Sequence, residues 1–164
     1  MPDLYATLEQ LAISYERYDH AAVFTCEEAD AAVANHAAVQ TKNLFLRDKR
    51  GRRHILLITN CEKAVDIRRF AEQADADRLS FGSPERMMKY LGVTPGSVTV
   101  LGLINDPDNA VELFVDADVW NAEHWRCHPL VNTATLVLSR ADIERFLMHT
   151  GHRARVLELV SEAR

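Results

Sequence analysis

Two β-rich runs a few residues apart constrain this chain more than any other feature. Residues 44–47 and 54–59 flank Asp48-Lys49-Arg50-Gly51, a polar turn containing a glycine. So short a connection can join only antiparallel neighbours, because parallel strands need a crossover of a dozen or more residues. Further β-rich runs stand at 97–104, 111–115 and 133–138. Around them lie stretches with apolar residues at helical spacing. Leu4, Leu8, Leu11 and Ala12 follow Asp3, a suitable N-cap. Thr25-Cys26-Glu27-Glu28 has the capping-box pattern ahead of Ala29, Ala32 and Val33. Ile67, Phe70, Ala71 and Ala74 make a third helical face. Ser83-Pro84 opens a fourth helix, with Met87, Met88 and Leu91 expected to face inward and Gly92 as its stop. Ser139 and Asp142 open a fifth, carrying Ile143, Phe146 and Leu147 and ending near Gly151. The stretch Asn105-Asp106-Pro107-Asp108-Asn109 has turn chemistry. This order does not fit a regular βαβ winding. The expectation is a mixed α/β (α+β) fold, a single domain over 1–164 with a central sheet and helices packed around it.

The chain is 164 residues long and 48% apolar, which suffices for one core. Such a chain buries about two-thirds of its unfolded surface, without metal or disulfide staples. Cys26, Cys61 and Cys127 read as too few and too scattered for a disulfide framework, which points to a reducing, cytoplasmic setting. The Met-Pro-Asp start has no basic region ahead of an apolar run, and no stretch reaches the ~18 apolar residues of a membrane span, so no membrane partner is expected. A net charge of −5 argues against a generic nucleic-acid binder, DNA included. That average conceals a segregation. Residues 41–69 hold nine basic and three acidic residues, +6, while the remainder holds ten and twenty-one, −11. Asymmetry of this kind marks either a polyanion-facing surface or a solvated hairpin tip.

Generic catalytic patterns are missing: the sequence has no P-loop, no GxGxxG and no GxSxG elbow. His124-x-x-Cys127-His128 packs potential ligands closely, but in an extended segment Cys127 and His128 point to opposite faces, and only Cys61 offers another soft ligand. No metal and no cofactor are expected. Three other segments stand at strand entrances, where loops on a rigid sheet commonly carry binding groups. They are Lys42-Asn43, Gly92-Val93-Thr94-Pro95-Gly96-Ser97 and His128-Pro129-Leu130-Val131-Asn132. Each alone has an ordinary reading: a solvated lysine, a turn, and a histidine held at a strand edge by a backbone hydrogen bond.

Together they resemble a known family. Residues 42–49, Lys-Asn-Leu-Phe-Leu-Arg-Asp-Lys, are similar to the first motif of the freestanding bacterial prolyl-tRNA editing proteins. Those proteins belong to the aminoacyl-tRNA deacylase superfamily that includes YbaK and the insertion domain of bacterial prolyl-tRNA synthetase. Residues 92–99, continuing through Gly102-Leu103-Ile104-Asn105-Asp106, resemble the second motif, and residues 127–135 the third. Order and spacing match over nearly the whole chain. Val100 departs from the pattern, since many relatives carry a second proline there.

The resemblance implies a twisted, partly closed mixed sheet surrounded by helices. It implies hydrolysis of mischarged tRNA for proline: water releases an amino acid esterified to the 3′ adenosine, with the ribose 2′-hydroxyl orienting that water. Lys42 matches the hallmark residue on which editing depends. Asn43, Gly102 and His128 match positions that line the pocket for the aminoacyl group and adenosine, and Asn132 belongs to the third motif. Leu44, Val100 and His128 are the expected wall residues, with backbone amides around Gly102 as further donors. The Lys-Asn-Leu-Phe-Leu style resembles the alanine-specific group. A cysteine-specific deacylase of the same fold and a non-catalytic tRNA- or synthetase-binding module are the alternatives. The expected partner is the acceptor end of mischarged tRNA, contacted by Arg47, Arg50, Arg52 and Arg53. A prolyl-tRNA synthetase or an elongation factor is a further docking partner that the resemblance allows.

Overall fold

In the computed structural model, which describes residues 1–34 and 36–161, α1 (Leu4–Gln10) and β1 (Glu16–Asp19) lead into α2 (Cys26–Ala32). Residues 162–164 of the expected domain lie outside the described residues. The expected hairpin follows as β2 (Val39–Arg47) and β3 (His54–Asn60), antiparallel in register from Thr41 opposite Asn60 to Arg47 opposite His54. Its turn is held by Asp48, whose carboxylate accepts from the amides of Arg52 and Arg53 at 2.8 and 3.1 Å. After it come α3 (Ile67–Gln73), β4 (Ser80–Phe81), α4 (Pro84–Leu91), β5 (Val111–Asp116), α5 (Ala117–Trp120), β6 (His124–Cys127), β7 (Ala134–Ser139), α6 (Arg140–Thr150) and β8 (Ala154–Leu157). The strand order is β1-β7-β6-β2-β3-β5-β8, with β4 paired to β2. Parallel pairs (β2 with β6, β3 with β5, β5 with β8) mix with antiparallel ones, so the sheet is mixed as expected.

Capping explains where every helix but α5 begins. Asp3, Thr25, Asp66, Ser83 and Ser139 each accept a backbone amide from three residues on. At α2 the reciprocal half of the capping box is shifted: Glu28 Oε1 accepts from the amide of Phe24 at 3.2 Å rather than from that of Thr25. Ile55 to Ile58 of β3 form an unbroken apolar run because the strand is central and covered on both faces. Its alternating residues feed two clusters: Leu56 and Ile58 pack with Leu91, Trp125 and Phe146, whereas Ile55 and Leu57 pack with Phe70 and Phe114. Among the described residues no helix is long and apolar enough to cross a membrane.

Four sequence expectations need correction. Residues 97–104 are not a strand; a 3-10 helix occupies Val100–Asn105, with Val100 to Ile104 buried. The Thr99 hydroxyl accepts from the amide of Leu101 at 3.2 Å and so starts the turn. Gly102 lets the segment lie on α4, since a Cβ there would stand 3.1 Å from both the Cβ and the carbonyl oxygen of Leu91. A short apolar run satisfies full burial in either conformation, and periodicity cannot separate them. Met88 points outward, 44% exposed. The edge strands β1 and β8, polar or mixed in pattern, the short strands β4 and β6 and the helix α5 are likewise absent from the sequence reading. Finally, Cys26 and Cys61 form a disulfide, with Cα atoms 5.7 Å apart across 35 residues of sequence. The fold brings the start of α2 over the end of β3, a proximity that spacing along the chain hides.

Candidate active site

The site sits where β2 changes partners. One edge of β2 follows β3 along most of its length; the other pairs with β6 at Val39 and Gln40 and with β4 at Leu46 and Arg47. Between those two ladders the second edge of β2 is open to a cavity of about 150 Å³, lined by Thr41, Lys42, Asn43, Gly96, Val98 and His128 among others. Thr41 fixes the divergence, because its buried hydroxyl donates to the Arg126 carbonyl at 2.6 Å. Lys42 Nζ donates to the carbonyl of Lys63 at 2.9 Å. Lys63 is itself anchored, with Nζ 2.7 Å from Asp116 and 3.2 Å from Asp118. Burial alone would lower the Lys63 ammonium, but the hydrogen bonds and charges of the two aspartates outweigh it and raise it. The turn after β3 therefore presents a fixed acceptor to Lys42.

His128 follows β6 and belongs to the same cavity. Burial lowers its pKa, the hydrogen bond to Ala134 works against that, and nearby His20 lowers it further. Nδ1 lies 3.3 Å from the carbonyl oxygen of Ala134, which can only accept, so Nδ1 carries the hydrogen and Nε2 keeps a lone pair. Two residues on, Leu130 has φ of +68°, a left-handed conformation that costs a bulky residue about 1–2 kcal/mol. Its side chain is held by packing on the main core. Strain of this kind collects in binding loops.

The remaining wall comes from the segment before α2. Phe24, 71% exposed, lies at the lip, and Thr25, Cys26 and Ala29 continue inward. Gly96 permits this arrangement: its φ is +90°, and a Cβ would stand 3.1 Å from the Phe24 ring. Asn132 holds the lip from below, donating through Nδ2 to the Val23 carbonyl at 2.8 Å while its own carbonyl accepts from the Val23 amide at 3.2 Å. The sequence reading missed Phe24, Thr25, Cys26 and Val98. The capping box located a helix start at Thr25, but nothing in the pattern brought that start to Lys42.

The structure gathers Lys42, Asn43 and His128 around one cavity and places other expected site residues elsewhere. Leu44 packs against the α3-side cluster that contains Leu46, Leu57 and Phe70. Val100 is 1% exposed in the main core. Gly102 packs on Leu91, and its amide donates to the Thr99 carbonyl at 3.0 Å rather than into the cavity. Asn132 supports the lip instead of lining the cavity. Among the expected tRNA contacts, Arg53 is occupied: it meets both oxygens of Glu112 at 2.8 Å and the Asp75 carbonyl at 2.7 Å. Arg47 donates to the carbonyls of Asp48 and Lys49, each at 3.3 Å, within its own turn. Arg50 and Arg52 are exposed at the tip. As for the cluster at β6, His124 is exposed and Cys127 buried, the latter's thiol pushed up to about 12 by burial. Cys61 is committed to Cys26.

Residues 20–146 match the family described as the aminoacyl-tRNA editing domain. The chain is 34% identical over 154 residues to the prolyl-tRNA editing protein ProX of Acetoanaerobium sticklandii, covering 94% of each. It is 32% identical over 157 residues to the prolyl-tRNA synthetase associated domain-containing protein 1 of Danio rerio, covering 94% of this chain and 85% of the relative. A crystal structure described as a candidate trans-editing enzyme for prolyl tRNA synthetase superposes with a TM-score of 0.73 at 19% identity, over 98% of this chain and 95% of the other; it shares the fold.

Proposed function

This chain belongs to the aminoacyl-tRNA editing domain family and is an aminoacyl-tRNA deacylase acting in prolyl-tRNA editing; within that activity we propose that the ester it cleaves joins alanine to the 3′ end of tRNA for proline. The observation that carries this reading is the small cavity at the partner switch of β2, about 150 Å³, with Lys42 fixed in its wall. A synthetase site built for proline discriminates against smaller alanine by only ~1–3 kcal/mol of lost apolar contact, so a second site selecting by size complements it.

An aminoacyl ester is already activated, so positioning a water and stabilising the developing oxyanion suffice. Water adds to the carbonyl carbon, the bond to the ribose 3′ oxygen breaks, and that oxygen takes a proton. Lys42 Nζ, aimed by the Lys63 carbonyl, serves as donor to the developing oxyanion. His128, neutral with its Nε2 lone pair available, accepts from the α-ammonium of the aminoacyl group. The substrate's 2′-hydroxyl orients the water, which also restricts the site to RNA. Arg50 and Arg52 lie about 20 Å from Lys42, six strand residues at ~3.3 Å each reaching the turn, a distance suited to acceptor-stem phosphates.

Initial rates of deacylation of alanyl- and cysteinyl-tRNA for proline, measured side by side, test the specificity. The expected result is faster release of alanine. Faster release of cysteine overturns the choice of amino acid and leaves the deacylase itself intact.

A further inference from the structure

The Cys26–Cys61 disulfide stands between two cavities. Both cysteines line the cavity of Lys42, and both also line a neighbouring one of about 690 Å³ that reaches His36, Asn60, Glu62 and Arg126. Gln40 is the third residue common to the two. The disulfide is therefore part of the partition that keeps the first cavity small. It joins elements that otherwise touch lightly, since the buried residue of α2 is Ala29 alone. Both cysteines are half-buried rather than sealed.

Resting on the reading of the Lys42 cavity as the aminoacyl site, we propose that Cys26–Cys61 is a reversible thiol-exchange site that sets the largest acyl group the cavity admits. The co-reactant is a dithiol. Its thiolate attacks one sulfur, the Cys26–Cys61 bond breaks, and the departing cysteine takes a proton. The second thiol of the reductant then displaces the first from the mixed disulfide. Two electrons and two protons have passed to the cysteine pair, and the reductant leaves as its disulfide. With the bond open, the partition parts, the two cavities join at Gln40, and acyl groups larger than alanine enter. With the bond closed they are excluded.

The full-length protein is prepared oxidised and after dithiothreitol, with reactive thiols counted in each state. Binding of non-hydrolysable 3′-amide analogues of alanyl- and prolyl-adenosine is then measured by calorimetry. Reduction is expected to expose two further thiols and to improve binding of the prolyl analogue relative to the alanyl one by about tenfold or more. The double variant Cys26→Ser/Cys61→Ser is expected to show the reduced protein's ratio in either buffer. An unchanged thiol count, or an unchanged ratio including no binding in either state, overturns the inference. Deacylation of alanyl-tRNA on the same samples judges the underlying reading separately: no hydrolysis in either state refutes that reading, while the thiol count and the analogue ratio still decide this one.

Discussion

The two ends of the β2–β3 hairpin are built from the same strands and do different work. At the tip, cations meet anions and carbonyls of the fold. Arg53 is clamped on Glu112, Arg47 closes its own turn, and Asp48 gathers the amides of Arg52 and Arg53. Arg86 of α4 reaches His54 Nε2 at 2.7 Å, where burial and that guanidinium lower the imidazole's pKa. At the base, β2 has left β6 and not yet reached β4, and Lys42 lies in the wall of the cavity so opened. The richest cluster of charge in the sequence is therefore engaged mostly by the fold, whereas the lysine to which we assign the chemistry stands at a gap in the ladder.

The sharpest test of that contrast is Lys42→Ala. Removing an oxyanion donor costs about 10²–10³ in turnover, while losing the hydrogen bond from half-buried Lys42 to the Lys63 carbonyl should lower the melting temperature only modestly. Single-turnover deacylation with a parallel thermal melt reads both; equal losses in each would assign Lys42 to the fold. The converse holds at the tip. Glu112→Gln removes the charged partner of Arg53, and urea unfolding should show a loss of about 1.5–3 kcal/mol, with turnover per folded molecule unchanged. The Arg53 hydrogen bonds hold the Glu112 carboxyl below its usual range. That stabilisation is present above the unfolded glutamate value of about 4.3 and is lost as pH falls through the lower folded value, so the variant should lose less stability in acid than the parent does.

Much of this contrast was legible in the sequence. The hairpin and the five capped helices follow from turn chemistry and N-caps, which are local signals; of the three segments read as strand entrances, only 128–132 precedes a strand, since Lys42 and Asn43 lie within β2 and 92–97 leads into the 3-10 helix. Lys42, Asn43 and His128 stand in those segments, and their meeting at one pocket was implied by the family resemblance rather than by any local signal. What escaped depends on contacts far apart in the chain. The 3-10 segment at Val100–Asn105 hangs on Gly102 meeting Leu91. The lip at Phe24 depends on Gly96 and Asn132, more than 70 residues onward. The Cys26–Cys61 bond and the Arg53–Glu112 pair likewise join positions that nothing local connects. Arg53 was misread because an arginine in a turn looks the same whether it faces solvent or a carboxylate on β5.

Two smaller effects sharpen the comparison. His128 must be neutral for Nε2 to accept, and its pKa lies below the ordinary value of about 6.5. Turnover should therefore be insensitive to this group above pH 6.5 and fall as pH drops through the depressed value. His128→Gln should remove that acid limb from the pH–rate profile while lowering the plateau. The smallest effect is expected at the exposed tip: Arg50→Glu with Arg52→Glu should raise KM for tRNA about threefold to tenfold at low salt, with kcat nearly constant and the difference shrinking as salt is added. An unchanged KM at moderate salt would make these two arginines a solvated turn.

The most direct measurement is the amount of free alanine released from alanyl-tRNA for proline when tRNA is in large excess over protein. A deacylase working at the Lys42 cavity releases many equivalents of alanine per protein molecule, and Lys42→Ala releases almost none above the spontaneous rate. Release of no more than one equivalent by the wild-type protein would contradict catalysis and leave only a module that binds the acceptor end.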